Sequence, residues 1–189
     1  ELIGELGDHV KELRKATFKA QKLIDQLLDL ARVSQATLSI ERHPIRKLVD
    51  MSLRAHRPDL HGGRIRVEID GELGIAWGDF HQLSSVFDNL IGNAIRYLEG
   101  VANPVLGIRY ERNRDRDIWS IEDNGPGIEP ADRERVFEPF VRLDRDRKGS
   151  GVGLAIVRRI VEMHGGDVWI ESPTHGRGTT FRFSIARQP

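Results

Sequence analysis

Two asparagines one helical turn apart are the first residues in this sequence whose types and spacing could do chemistry. Gln82, Asn89, Asn93 and Arg96 share a polar stripe on a predicted helix, residues 79–99, whose apolar residues form a separate stripe. Asparagine is a poor helix former, so the pair requires a reason. An amide oxygen can bind Mg²⁺, which keeps several waters in nucleotide sites, and an arginine can pair with phosphate oxygens. The alternative is a solvated polar face.

An aspartate followed by glycines two and four residues later ends a predicted strand. An ionised carboxylate only accepts hydrogen bonds, and adenine presents an exocyclic amino group that donates them. A buried Asp123 could therefore distinguish adenine from guanine, and Gly125 and Gly127 would let the backbone turn sharply beside a flat base. The alternative is an ordinary Asp-Asn-Gly turn between strands.

Glycines also alternate at the start of another predicted helix, residues 152–164. Gly149, Gly151 and Gly153 would let backbone N–H groups approach phosphate oxygens beside the positive end of that helix. The alternative is a flexible linker capped by a helix. A weaker glycine signal at residues 176–181 precedes the last predicted strand and by itself indicates only a turn.

Aromatic residues and charges lie between the aspartate motif and the alternating glycines. Residues 137–140 contain two phenylalanines, and residues 141–148 contain four basic and two acidic side chains. A charged loop between an aromatic anchor and a glycine hinge is typical of a lid that closes over a nucleotide. The alternative is a plain solvated loop.

Helices and strands alternate in the segment that would position these residues. The predicted helices are 45–60, 79–99 and 152–164, and the predicted strands are 64–70, 105–111, 117–121, 167–172 and 179–186. This order favours an α+β fold, a two-layer α/β sandwich with helices on one face of a mixed, mostly antiparallel sheet. A parallel dinucleotide-binding fold is disfavoured, because the glycines do not follow a first strand.

The first third of the chain has a different periodicity. From Leu6 to Ala31, apolar residues alternate at spacings of four and three, which predicts a long coiled-coil helix with a partner helix. A helical hairpin or a dimeric bundle would supply that partner. The alternative is a single amphipathic helix that packs on its own domain.

Composition excludes several classes of protein. The 29 basic residues balance 29 acidic ones, so the basic excess of proteins that bind nucleic acids or membrane surfaces is missing. No apolar run approaches the roughly 20 residues that span a bilayer, and no signal peptide is visible. The chain has no cysteine, which excludes disulfides and fits the cytoplasm. Because it starts within a helical pattern at Glu1, we expect it to be part of a longer protein, in which it could be the cytoplasmic part of a membrane-bound sensor.

In this order, the motifs resemble those of the catalytic ATP-binding domain of sensor histidine kinases, within the Bergerat-fold ATPase superfamily. Five segments carry the resemblance, namely residues 89–97 (N box), 123–128 (first G box), 137–143 (F box), 149–157 (second G box) and 176–181 (third G box). Residues 23–32 are similar to the end of the second helix of that family's dimerisation and phosphotransfer domain. The resemblance implies three parts: residues 1–36 as the C-terminal helix of a helical hairpin, 37–44 as a linker, and 45–189 as the catalytic domain.

The resemblance also implies roles for single residues, with ATP and Mg²⁺ as the cofactors. Asn93, with Asn89, would hold Mg²⁺, and Asp123 would accept from the adenine amino group. The other implied nucleotide contacts are Arg96 and Tyr97 at the phosphates or base, Gly125 and Gly127 at the turn, Gly149, Gly151 and Gly153 at the lid and phosphate pocket with Arg142, Val152 and Leu154, and Thr179 near adenine. At position 96, the family more often has lysine. The arginine of this chain keeps the positive charge and changes the shape of the charged group.

One family motif has no counterpart here. The phosphoacceptor histidine of the family is followed by an acid and, shortly after, by a proline, and no histidine in this chain fits. His9 precedes Val10 with no proline nearby, and we interpret it as an exposed helical histidine. We therefore expect that the chain binds nucleotide without phosphorylating itself.

Two functions remain open at this point. The first is the ATP-binding part of a two-component histidine kinase, which transfers the γ-phosphoryl group to a histidine outside this chain and onward to an aspartate of a response regulator receiver domain. Homodimerisation through the helical hairpin is implied by the resemblance. The second is a regulatory or degenerate ATP-binding module that acts on a partner through its heptad helix.

Overall fold

The computed structural model describes residues 38–60, 65–113, 116–144, 150–173 and 176–187, together with His9, Arg14, Thr17 and Gln21. These four single residues have helical backbone and are exposed, as expected for His9. The rest of the predicted helix at 1–36 lies outside the described residues, and so does Gly149.

Helices and strands alternate through the rest of the chain. In order they are β1 (Glu41–Pro44), α1 (Ile45–Ala55), α2 (Arg57–Leu60), β2 (Arg66–Ile69), β3 (Ile75–Gly78), α3 (Phe80–Leu98), β4 (Val105–Arg112), β5 (Arg116–Asp123), α4 (Gly153–Met163), β6 (Val168–Glu171) and β7 (Thr179–Ala186). Two short 3₁₀ turns, Pro130–Asp132 and Arg135–Phe137, lie between β5 and α4. In the described part of the chain, no helix has the length and apolar character that crossing a membrane requires.

The strands form one large sheet and one small one. The five-stranded sheet has the order β2-β4-β5-β7-β6, in which β2 and β4 are parallel and the other neighbours are antiparallel. The small sheet pairs β1 with β3, so part of the predicted linker lies against the domain. The predicted α+β fold with a mixed, mostly antiparallel sheet is confirmed.

The core lies between the large sheet and helices α1, α3 and α4. Phe87 of α3 is fully buried, and its ring meets Phe183 of β7 edge-on at 5.4 Å. Phe183 in turn stacks on Trp119 of β5, whose indole N–H donates to the carbonyl oxygen of Leu73 at 2.7 Å. Burying each such aromatic side chain stabilises the fold by roughly 1.5–3 kcal/mol, so this layer fixes α3 on the sheet.

Polar contacts fix the ends of α3 and α4. Asp79 caps α3, because its carboxylate accepts from the backbone N–H groups of His81 and Gln82. Burial opposes ionisation of Asp79, but these hydrogen bonds outweigh it and lower its pKa. Helix α4 ends at the predicted glycine cap, where Gly165 has a φ of 68°. The buried His164 beside this cap accepts from the Asp79 N–H and donates to the Ile160 carbonyl, which ties the two helix ends together.

Two predicted elements differ from the structure. The helix predicted at 45–60 breaks at His56, which forms a turn between α1 and the short α2. Strand β3 was not predicted, because four residues are too few for alternation to be recognised. The other predicted helices and strands are present, with ends shifted by one or two residues.

Candidate functional site

A cleft runs along α3, between the end of α1 and the segment that leads into α4. Most of the predicted site residues line it, namely Asn89, Asn93, Arg96, Tyr97, Arg142, Gly151, Gly153 and Leu154. Helix α3 supplies four of them because residues 89, 93, 96 and 97 recur at helical spacing. Gln82, which shares their predicted stripe, is buried and does not line the cleft.

The amide oxygen of Asn89 faces the start of α4. Its Nδ2 donates to the carbonyl oxygen of Ser85 at 2.8 Å and to Ser85 Oγ at 3.3 Å, which leaves Oδ1 as the acceptor on the other side. A Cβ atom at Gly153 would lie only 2.5 Å from Oδ1. Glycine at position 153 therefore keeps this amide oxygen accessible beside the N-terminus of α4.

Two cationic side chains line the same cleft. On α3, Arg96 Nη1 donates to Asn93 Oδ1 at 3.3 Å, which places the guanidinium beside the second asparagine. On the facing segment, Arg142 Nη2 donates to the carbonyl oxygen of Asp144 at 3.3 Å. Arginines with fork-shaped donors on two walls of one cleft suit an anion that carries several oxygens.

Asp123 is a buried carboxylate at the end of β5. Only 3% of it is exposed, and Oδ1 accepts from the backbone N–H of Gly125 at 2.9 Å. Burial raises the pKa of Asp123 to about 6, against hydrogen bonds from the Gly125 and Thr179 backbones that lower it, and the nearby Glu122 charge raises it further. No ion pair compensates the Asp123 charge within the described ranges.

Close backbone contacts surround Asp123. A Cβ atom at Gly125 would lie 2.7 Å from Asp123 Oδ1 and 3.1 Å from the Tyr97 carbonyl oxygen, so the aspartate lies beside the end of the cleft that Tyr97 lines. Gly127 and Gly178 both have positive φ, and a Cβ atom at Gly178 would overlap the carbonyl oxygen of Asp123. The first and third glycine motifs are thus in direct contact.

Several predicted residues lie next to the cleft without lining it. Thr179, the first residue of β7, pairs with Asp123 across the sheet and is buried. Val152 is fully buried in the hydrophobic core at the N-cap of α4. Asp123, Gly125 and Gly127 are also absent from the cleft lining. Gly149 lies outside the described residues.

The two ends of the charged loop meet at a strained pair of residues. Phe140 has a φ of 68°, and its N–H donates to the carbonyl oxygen of Gly151 at 2.8 Å. A Cβ atom at Gly151, whose φ is 75°, would lie 2.9 Å from the Phe140 carbonyl carbon. Phe137 anchors the start of this segment, because it is buried and its ring meets Phe181 edge-on. Left-handed backbone at a non-glycine residue is costly and concentrates at functional sites.

His56 and Asp88 are among the cleft residues that the sequence motifs do not indicate. The sequence pattern predicts a helix through His56, whereas in the structure His56 forms the turn that brings α1 against α3. A Cβ atom at Gly92 would lie 2.9 Å from His56 Cε1, so a small residue at position 92 makes this approach possible. The position of Asp88 directly before Asn89 is the feature of the sequence that could have indicated Asp88 as a cleft residue.

The donor set limits which metal the cleft can hold. In the ranges that the structure describes, no group of three histidine, aspartate or glutamate side chains is arranged to bind a metal ion. Of the residues in the cleft lining, Asn89 and Asn93 are those predicted to hold the metal, and their amide oxygens are hard donors that suit a hydrated Mg²⁺ ion with further oxygens from phosphate.

The chain is similar in sequence to a known protein family and to named proteins. Residues 78–189 match the family described as histidine kinase-, DNA gyrase B- and HSP90-like ATPase. Phytochrome-like protein Cph1 of Synechocystis sp. is 37% identical over 167 residues, which are 87% of this chain and 22% of that protein. The methanogenesis regulatory histidine kinase FilI of Methanothrix harundinacea is 32% identical over 183 residues, which are 95% of this chain and 20% of that protein.

A solved structure with the same fold also covers most of the chain. The crystal structure of full-length ShkA in complex with AMPPNP superposes with a TM-score of 0.75 at 29% identity, over 96% of this chain and 39% of that chain. The chain spans about a fifth of the length of the two curated relatives named above.

Proposed function

The chain belongs to the histidine kinase-, DNA gyrase B- and HSP90-like ATPase family, and from that premise we propose that it binds ATP with Mg²⁺ in the cleft along α3 as the catalytic part of a sensor histidine kinase. Its full-length relatives carry histidine kinase and phytochrome-like names. The phosphoacceptor histidine, the response regulator receiver domain that is phosphorylated next, the homodimer and the cytoplasmic location all belong to this proposal.

The uncompensated carboxylate of Asp123 is the observation that carries the proposal. A carboxyl group that is 3% exposed, with a raised pKa and no ion pair to any described residue, costs folding free energy. Groups of this kind are retained where they serve a ligand. The exocyclic amino group of adenine is a donor that such a carboxylate accepts, whereas guanine presents a carbonyl acceptor at the equivalent position.

The cleft also fits the other end of the nucleotide. The oxygens of Asn89 and Asn93 would hold the hydrated metal ion, and Arg96 and Arg142 carry the positive charge that phosphate oxygens require. Gly153 leaves the Asn89 oxygen uncovered at the N-terminus of α4, which is itself a favourable position for an anion. The structural relative that covers 96% of this chain was crystallised with AMPPNP, an analogue of ATP.

The residues of this chain would position the nucleotide and neutralise the charge of its phosphates. Bound Mg²⁺-ATP supplies the transferable phosphoryl group and a cation that neutralises its oxygens. Asp123 and Gly125, which lie beside the end of the cleft that Tyr97 lines, would orient the base, and Arg96 and Arg142 in the cleft lining would offset the negative charge of the phosphates. No side chain of this cleft needs to form a covalent intermediate, because orientation and electrostatics account for most of the catalysis of phosphoryl transfer.

Phosphoryl transfer in trans tests the proposal against the alternative of a regulatory module. The chain would be mixed with a complete histidine kinase whose own nucleotide site has been disabled, and with γ-³²P-labelled ATP. We expect acid-labile, base-stable label on the histidine of that kinase, and we expect Asn93→Ala in the added chain to abolish it. Nucleotide binding by the chain without any label on the acceptor would favour the regulatory module instead.

A further inference from the structure

Asp88 lies at the edge of the cleft where α1 ends, directly before Asn89 on α3. Its side chain is 54% exposed, and its carboxylate is held from one side. Oδ1 accepts a hydrogen bond from Ser52 Oγ at 3.1 Å and lies 3.1 Å from His56 Nε2. Oδ2 has no hydrogen-bond partner in the described part of the chain. The carboxylate is therefore oriented at one oxygen and open at the other.

His56 and Gly92 determine where this carboxylate lies. The absence of a side chain at Gly92 lets the imidazole approach the backbone of α3 and reach Asp88 from the side of α1. The other imidazole nitrogen, Nδ1, is 3.9 Å from Asp59 Oδ2, which is beyond hydrogen-bond distance. The better contact of His56 is thus with Asp88, and this contact uses only Oδ1 of the carboxylate.

An open carboxylate at this position is within reach of a hydrated cation on Asn89. Mg²⁺ keeps several waters at about 2.0–2.1 Å, and each water can donate a hydrogen bond of about 2.7 Å to an oxygen acceptor. Consecutive side chains on a helix point about 100° apart, so Asp88 would reach an ion on Asn89 through a bridging water and not as a direct ligand. Asp88 and Asn89 both line the cleft, where such a water would lie.

We propose that Asp88, oriented by Ser52 and His56, accepts hydrogen bonds from the waters of the nucleotide-associated Mg²⁺ and makes nucleotide affinity depend on the metal. This inference rests on the proposed nucleotide-binding function. A carboxylate at this point attracts a hydrated dication and repels uncompensated phosphate. Its effect on nucleotide affinity therefore has opposite signs with and without Mg²⁺.

Asp88→Asn tests the assignment, because it removes the charge and keeps the shape of the side chain. AMPPNP affinity is measured calorimetrically in excess Mg²⁺ and again in EDTA. We expect the variant to bind the Mg²⁺ complex about tenfold more weakly, the usual scale for losing a partner of a metal's ligands. In EDTA we expect binding equal to that of wild type or tighter.

Two control variants separate this role from a general effect of negative charge near the cleft. Asp50→Asn and Asp59→Asn each remove a nearby carboxylate that does not line the cleft. Both should leave the ratio of the two dissociation constants within about twofold of wild type. Asp88→Ser provides a second test of the same charge should Asp88→Asn unfold.

The possible results lead to distinct conclusions. AMPPNP binding by Asp88→Asn that is weaker in Mg²⁺, but not in EDTA, supports the assignment. Equal losses in Mg²⁺ and EDTA, or no change in either, would overturn it and leave nucleotide binding intact. Wild-type chain that binds AMPPNP under neither condition would overturn the proposed function, and this inference with it.

Discussion

Replacing Asp123 with asparagine should stabilise the nucleotide-free protein at neutral pH while it removes adenine recognition. The wild-type carboxyl group has a pKa of about 6 in the folded state against 3.8 in the unfolded reference. The unfolded chain therefore loses its proton first as pH rises from about 4 to about 6. Over that window the free energy of unfolding of wild type falls, and above it this contribution stays constant.

The size of the effect follows from the shift in pKa. A difference of about two pH units corresponds to roughly 3 kcal/mol at neutral pH, since each unit is about 1.4 kcal/mol. Asparagine keeps one acceptor oxygen for the Gly125 N–H and loses the other, which costs about 1 kcal/mol. We therefore expect Asp123→Asn to be more stable than wild type at pH 7 by about 1–2 kcal/mol, with a Tm higher by roughly 2–8 °C.

Urea unfolding between pH 4 and pH 7 measures this difference directly. The advantage of the variant should vanish near pH 4, where the wild-type carboxyl group is protonated in the folded state and about half protonated in the unfolded chain. Asp70→Asn, which changes an exposed aspartate of the same domain, is the matched control. A variant that is less stable than wild type by the same amount at every pH would refute the reasoning about Asp123.

Three further outcomes follow from the structure. Gly153→Ala should weaken Mg²⁺-dependent AMPPNP binding at least tenfold by calorimetry, because its Cβ would lie 2.5 Å from Asn89 Oδ1. The control Gly107→Ala, whose Cβ would meet Glu122 at 3.6 Å, should leave the affinity unchanged. Equal effects of the two variants would contradict the role of Gly153. Phe87→Ala should lower the free energy of unfolding by about 3–5 kcal/mol in urea, and a loss under 1 kcal/mol would show that α3 is not fixed by this aromatic layer. The chain incubated alone with γ-³²P-labelled ATP should gain no label, and acid-labile label on the chain would disprove the absence of an internal phosphoacceptor.

The periodicity of apolar residues was sufficient to predict the helices and strands that present one face to the core. Helix α3 and the individual strands β4, β5, β6 and β7 follow from regular spacings of apolar residues, and the polar stripe of Asn89 and Asn93 follows from the prediction of α3. These predictions depend only on residues close together in sequence. They therefore needed no knowledge of how distant segments meet.

Contacts between distant segments could not be predicted in the same way. Asp123 meets Thr179 only because β5 pairs with β7, and spacing within a strand does not specify its partner. His56 and Asp88 are 32 residues apart and meet because α1 breaks at position 56 and Gly92 leaves room. Family resemblance supplied the first contact, but it gave no indication of the second.

Base selectivity and metal dependence of binding test the central claim most directly. The chain would be titrated calorimetrically with AMPPNP and with the guanine analogue GMPPNP, each in Mg²⁺ and in EDTA. We predict saturable binding of one AMPPNP per chain, tighter in Mg²⁺, and GMPPNP binding that is at least tenfold weaker because Asp123 cannot accept from a guanine carbonyl. Equal affinity for the two bases, or no binding of AMPPNP at millimolar concentration, would contradict the claim that this cleft is an ATP site.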